Sequence, residues 1–315
     1  MLQVISDPRR RMSLSSTWYL ILGLVTLCLG VWGEVGNFSS CPQFFYKGHP
    51  PKGLGGEGCP QICQRYHNKY HFASLYHREH RTPLYSAYVL SAGGRKRPKN
   101  TWKYEPQLAN SKAEPEMQPF PAGPVDQNVV ESQAVLRDYF NSSYTKGHLS
   151  PNQHFREEQD KKATFTLTNI VPQKAGSNSG PWATLESTVR KLLSDYCTGQ
   201  AYIVTGVMPY VSGRWINNRV AVPEYLWSAY CCPSFNTSLP AQLSDFFPTY
   251  AAIGRNDPLS GQDIVPVNTH AKRSVWGYDV RRMPLRTMEM YLQQRMGRPV
   301  SVFHSECSQE NGGMQ

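Results

Sequence analysis

The chain has 315 residues, 40% of them hydrophobic, and a formal net charge of +10, which excludes a disordered tail and allows one large core or two small ones. No run of eighteen apolar residues occurs beyond the N-terminal region, so nothing in the body reads as a membrane-spanning helix. The positive charge favours polyanionic partners such as nucleic acid, anionic glycans or membrane surfaces, without choosing among them.

At the N-terminus, Arg9, Arg10 and Arg11 precede an apolar stretch from Trp18 to Trp32 that ends at Gly33. Basic region, hydrophobic region and small residue in that order predict a secretory signal over residues 1–33, cleaved near Gly33–Glu34; the alternative is an uncleaved anchor helix, against which the apolar stretch falls short of the ~20 residues of a span. The mature chain, residues 34–315, is then a secreted protein with no stable membrane insertion. Removing the leader takes away three arginines and one aspartate and leaves +8. It also removes Cys28, leaving Cys41, Cys59, Cys63, Cys197, Cys231, Cys232 and Cys307. In an oxidising compartment most of these pair and one stays free or bonds outside the chain. The spacings lack the second pair or the histidines of a zinc finger. Sequons at Asn37, Asn141 and Asn236 agree with a glycoprotein of the secretory pathway.

Strands are predicted at 84–90, 164–168, 202–208 and 225–232, each short and rich in β-branched or aromatic residues. Between the first two, Ala92 to Pro124 is rich in Gly, Pro, Lys and Asn and reads as a long surface excursion carrying the basic run Arg95, Lys96, Arg97 and Lys99. Helices are predicted at Pro181 to Tyr196 and Pro284 to Met296. The second has Pro284 at a start position, Leu285, Met288 and Leu292 on one face, and Gly297 then Pro299 as a stop. Strands and helices do not alternate regularly and no repeat is visible, so one α+β domain is expected.

The chemistry gathers in three blocks: Thr145-Lys146-Gly147-His148, Thr168-Asn169-Ile170-Val171-Pro172-Gln173, and Ser177-Asn178-Ser179-Gly180-Pro181-Trp182-Ala183-Thr184-Leu185-Glu186, with Arg190 one helical turn beyond. Hydrolysis of a phosphodiester needs a general base for water, a metal to neutralise developing charge and cationic donors on the phosphate. An imidazole suits the base, and an amide oxygen with several waters suits Mg²⁺, which dehydrates reluctantly. On the helix beginning at Pro181, Glu186 and Arg190 stand at i and i+4 and share a face.

These blocks resemble the DNA/RNA non-specific endonuclease family, whose signature runs Asp-Arg-Gly-His, Ser-Asn-Ile-x-Pro-Gln and Leu-Asn-Gln-x-x-Trp-x-x-Leu-Glu. The internal spacing of the last two blocks matches without a gap. More widely, Cys41 to Tyr46, Phe72 to Tyr76, Arg81 to Tyr88 and Val220 to Cys232 are similar to the vertebrate endonuclease-domain-containing secreted proteins, a branch of that family. The resemblance covers roughly residues 40 to 307. It implies a central, mainly antiparallel sheet flanked by helices with a ββα-metal (His-Me finger) motif, a Mg²⁺ cofactor for which Mn²⁺ can substitute, and DNA or RNA as substrate cut to leave a 5′-phosphate. It further implies His148 as general base, Asn178 as direct metal ligand, Glu186 as the carboxylate positioning water on the metal, Asn169 as a supporting polar group, and Lys146 and Arg190 as phosphate contacts. The departures are Thr145 for aspartate and Lys146 for arginine; lysine keeps the charge and loses the bidentate fork. That loss, with a sequon at Asn141 seven residues before His148, motivates the alternative of a weak or inactive nuclease fold that binds polyanions or protein partners.

Overall fold

The computed structural model describes residues 35–307 apart from 57, 92–95, 259–264, 266–269 and 271. The expected leader with its cleavage point, and Arg95 of the basic run, lie outside these residues. The strands that build the main sheet and the site are β1 Val35–Gly36, β2 Gln61–Tyr66, β3 Lys69–His77, β4 Thr82–Val89, β5 Thr145–His148, β6 Ile170–Gln173, β7 Tyr202–Pro209, β8 Pro223–Cys231, β9 Thr249–Arg255 and β10 Val280–Met283. Eight of them form one sheet in the order β1-β2-β3-β4-β7-β8-β9-β10, with antiparallel pairing throughout. Between β4 and β7 the chain leaves the sheet, makes the separate antiparallel pair β5–β6 and returns through two helices, α1 Ala175–Asn178 and α2 Pro181–Tyr196. A further helix, α3 Leu285–Met296, follows β10.

Side chains alternate across each strand, and here both faces are covered. On β8, Tyr225, Trp227, Ala229 and Cys231 join Tyr85, Val204, Met288 and Leu292 on one face. Leu226 packs with Leu149, Val171, Trp182 and Leu185 on the other. A strand buried on both sides reads as a nearly continuous apolar run, which is why 202–208 and 225–232 are legible in the sequence. The helix α2 begins and ends where predicted, with proline in its first turn. In α3, Pro284 is the N-cap and not the first helical residue, and Gly297 closes the helix at φ +67, a left-handed conformation that suits glycine.

Two expectations need correction. Residues 164–168 are not a strand: Thr164 ends a helix at Glu158–Ala163, and Leu167–Asn169 is a 3-10 turn. Their hydroxyls bond inward, Thr166 and Thr168 to the Glu105 carboxylate at 3.0 and 2.9 Å and Thr164 to the Lys161 carbonyl at 2.8 Å. Short polar side chains with such partners compete with a ladder. The segment from Ala92 to Pro124 is also more than a surface excursion. It pairs Lys103–Tyr104 with Gln118–Pro119 and buries Lys103, Glu105, Leu108 and Met117. The Lys103 ammonium reaches the Lys162 carbonyl at 2.7 Å and lies over the Tyr66 ring, so a composition typical of loops conceals inward-facing contacts.

Disulfides join Cys41 to Cys63, Cys197 to Cys232 and Cys231 to Cys307, leaving Cys59 free among the described residues. The vicinal Cys231 and Cys232 serve different partners because successive residues of a strand point to opposite faces. No helix among the described residues is long and apolar enough to cross a membrane.

Candidate active site

Strands β5 and β6 pair with His148 opposite Ile170 and Thr145 opposite Gln173, and the chain then enters α1 and α2. This is a strand-strand-helix unit laid against the main sheet through Leu149, Val171, Trp182 and Leu226. Gly147 is needed by close packing: a Cβ there would stand 2.2 Å from Gln173 Oε1. Gln173 in turn donates to Ser177 Oγ at 2.8 Å, tying the hairpin to the start of α1.

His148 sits at the end of β5 beside two aromatic rings, Trp102 at 5.7 Å and Phe165 edge-on at 5.4 Å between centroids. The Arg97 guanidinium lies 5.1 Å from the Phe165 centroid. Burial among these groups, with Arg97 adding like charge, pushes the imidazole down to about 3. It is therefore neutral across the physiological range, further than the ordinary ~6.5 of histidine would place it. Its Nε2 is buried with no hydrogen-bond partner among the described residues.

Asn178 ends α1 with its Nδ2 donating to Thr145 Oγ1 at 2.9 Å. That hydroxyl spends its own proton on the Gln173 carbonyl at 2.7 Å, so it can only accept, and the nitrogen end of the amide must face it. The amide oxygen is left without a partner among the described residues, on a residue that lines the cleft. Thr145, where the family signature has aspartate, thus orients Asn178.

Glu186 projects from α2, whose Trp182, Leu185 and Leu193 are buried. Gln153 Nε2 donates to its Oε2 at 2.9 Å, and His154 Nε2 contacts its backbone carbonyl at 2.9 Å. Burial raises the carboxyl to about 7, against the pull of the Gln153 hydrogen bond and of Arg97.

His148, Asn178, Glu186 and Arg190 line one cleft of about 630 Å³ with Lys96, Arg97, Gln153 and Lys161. Two of the predicted site residues are not among its lining. Asn169 is fully buried and clamps the backbone after His148: its Oδ1 accepts from Ser150 N–H at 2.9 Å, and its Nδ2 donates to the Ser150 and Thr164 carbonyls at 3.0 and 3.1 Å. Lys146 lies with its ammonium 5.4 Å from both the Trp102 and the Tyr139 ring centroids. Gln153 and His154 lie outside the three sequence blocks, and Arg97 stands in the basic run. Gln153 and His154 carry no motif; only proximity to His148 in the chain hints at them.

A sequence profile described as DNA/RNA non-specific endonuclease matches residues 51–269. The chain belongs to this family. Among relatives, the human (Homo sapiens) Endonuclease domain-containing 1 protein is 35% identical over 204 residues, covering 63% of this chain and 40% of that protein. The Schizosaccharomyces pombe protein Nuclease 1, mitochondrial, is 31% identical over 217 residues, covering 64% of this chain and 61% of that protein. The chain thus spans well under two thirds of the length of the human relative. A crystal structure described as the EndoG/EndoGI complex superposes with a TM-score of 0.48 at 18% identity, covering 83% of this chain and 90% of that one.

The donor set at this cleft fits only a largely hydrated cation. Among the described residues no three His, Cys, Asp or Glu side chains gather to hold an ion. One amide oxygen and one carboxylate on the lining of the same cleft suit a hard ion that keeps most of its waters.

Proposed function

We propose that this protein is a secreted endonuclease that hydrolyses phosphodiester bonds of DNA or RNA with Mg²⁺, or Mn²⁺ in its place, and leaves 5′-phosphate ends. The observation that carries the reading is His148, a neutral imidazole held at the edge of a cleft that also presents Arg97, Arg190, the Asn178 oxygen and Glu186. The neutral form of the imidazole is the one that can take a proton from water. Arg97 and Arg190 supply the charge-assisted donors that hold phosphate oxygens. Asn178 would hold the cation and Glu186 would position water on it; the cation when bound neutralises the charge developing on the phosphate. Secretion, through a leader at residues 1–33 and a mature domain from 34, rests on the sequence pattern and is supported by the three disulfides.

A binding protein without activity is the second reading, favoured by one observation: Lys146, which stands where the signature has arginine, packs on aromatic rings and is not among the cleft-lining residues. Plasmid nicking and RNA degradation with Mg²⁺, with EDTA and with His148→Ala separate the two. The nuclease reading expects EDTA-sensitive cleavage that falls by ~10²–10⁴ in the variant. Absence of cleavage by the wild-type protein at any Mg²⁺ concentration would leave only the binding reading.

A further inference from the structure

Beside the cleft, cations and aromatic rings alternate in a row that the chemistry of hydrolysis does not use. Lys146 lies over Trp102 and Tyr139, Lys174 lies 4.2 Å from the Tyr144 ring centroid, and the Arg214 guanidinium lies 4.3 Å from that of Tyr210. The row is continuous. Asp257 Oδ2 accepts from the Tyr144 hydroxyl at 3.4 Å and from Arg214 Nη1 at 2.9 Å, which joins the second ring to the third cation. Trp102, Tyr144 and Tyr210 are half-buried against one apolar cluster built on Leu167, Ile170 and Ile216, so the rings are fixed from beneath. Tyr144, Lys146 and His148 are spaced by two along the chain entering and forming β5, which places them on one face about 7 Å apart per step. The row therefore runs out from the catalytic histidine itself. Near its start Phe140, the residue after Tyr139, is 74% exposed.

We infer that this row is the track for an unpaired strand, making single-stranded nucleic acid the preferred substrate class; the inference rests on the nuclease reading above. A duplex offers only phosphates to such a surface, because its bases are stacked inside. A single strand offers phosphates to the lysines and arginine and base faces to the rings and to the guanidinium, and both contribute to affinity. Ring-anchored cations have also lost part of their freedom before binding, which favours a regular phosphate path.

The test is fluorescence anisotropy in EDTA, so that nothing is cut, with a labelled oligothymidine and a labelled duplex of equal length, repeated across a salt series. The wild-type protein should bind the single strand at least ~10-fold more tightly. Lys174→Ala should weaken single-strand binding several-fold and lower the log–log salt slope by about 0.7. Among the described residues the Lys174 ammonium meets only the Tyr144 ring and the Ser143 hydroxyl, so the Lys174→Ala chain should still fold. Tyr144→Leu should weaken single-strand binding about tenfold, while Tyr144→Phe keeps the ring and the affinity, which separates a platform from a structural hydroxyl. Lys112→Ala, exposed and distant in sequence, should change nothing. Equal affinity for the two forms, or unchanged single-strand binding by both Lys174→Ala and Tyr144→Leu, overturns the track. Failure of the nuclease reading shows separately, as no Mg²⁺-dependent cleavage of either form by the wild-type protein.

Discussion

Asn169→Ala is expected to cost this protein both stability and catalysis, although the side chain is absent from the cleft lining. The amide is 0% exposed and is the hydrogen-bond partner of three backbone groups: the Ser150 N–H, the Ser150 carbonyl and the Thr164 carbonyl. It also accepts from Ser86 Oγ at 3.0 Å, but that hydroxyl keeps a second partner in Ser74 at 2.8 Å. Leaving a buried polar group unsatisfied costs about 1–3 kcal/mol. Water entering the space vacated by the amide would hold the cost of three such groups near the low end, about 3–5 kcal/mol. For a domain somewhat smaller than this one, that corresponds to a fall in Tm on the order of 10 °C. Ser150 follows His148 by two residues, so loss of the clamp should also move the imidazole, and activity should drop at temperatures where the variant is still folded. Urea titration by far-UV circular dichroism and nuclease assays at 15 °C on one preparation would measure both. Asn178→Ala is the internal control. It breaks one strong side-chain bond at a half-buried site and should cost only about 0.5–1.5 kcal/mol. An Asn169→Ala protein within about 1 kcal/mol of wild type and fully active would refute the assignment of this residue as a clamp.

Three other outcomes follow from the site. Burial holds His154 at about 4 against an ordinary ~6.5, so between those values the unfolded chain binds the proton and the folded one does not. Stability from this group is complete above ~6.5 and is lost as pH falls toward 4, by about 3 kcal/mol in total; urea midpoints should therefore fall over this range, and fall less in His154→Gln. Because Glu186 is raised to about 7 while His148 is held near 3, the acid limb of kcat/KM should belong to the carboxylate, lie near pH 7 at low Mg²⁺ and move to lower pH as Mg²⁺ competes with the proton. A limb at ~6.5 that ignores Mg²⁺ would return the ionisation to a histidine. Finally, raising Mg²⁺ should restore part of the activity of Asn178→Ala and none of that of His148→Ala, since one lacks an ion ligand and the other a base; wild-type metal dependence in Asn178→Ala would remove it as a ligand.

What the sequence reveals of this molecule depends on whether one local signal is strong enough to stand alone. The helix at Pro181–Tyr196 has proline at its start and an apolar stripe, and it is found without error. The hairpin of β2 and β3 is not visible, because its turn at His67–Asn68, with φ of 51 and 58, lacks the Asn-Gly pair that advertises two left-handed residues. In the site, His148, Asn178, Glu186 and Arg190 converge because the ββα unit is nearly continuous in sequence. Arg97 reaches the same cleft from a segment some fifty residues earlier whose composition marks only a loop. Asn169 was legible as important and not as a clamp, since its four partners become neighbours only on folding.

The adjacent cysteines at the end of β8 make the disulfides sensitive to reading frame within the sheet. A one-residue insertion or deletion in that strand would turn Cys231 toward the layer that holds Cys197 and Cys232 toward the layer that holds Cys307. Oxidation of such a chain would bond each sulfur to the wrong layer or to none. The pair therefore acts as a checksum on strand registration: only a chain whose β8 is paired in frame with β7 and β9 can complete both covalent links. Relatives that retain the vicinal pair should tolerate length changes in the connections around this strand far better than within it.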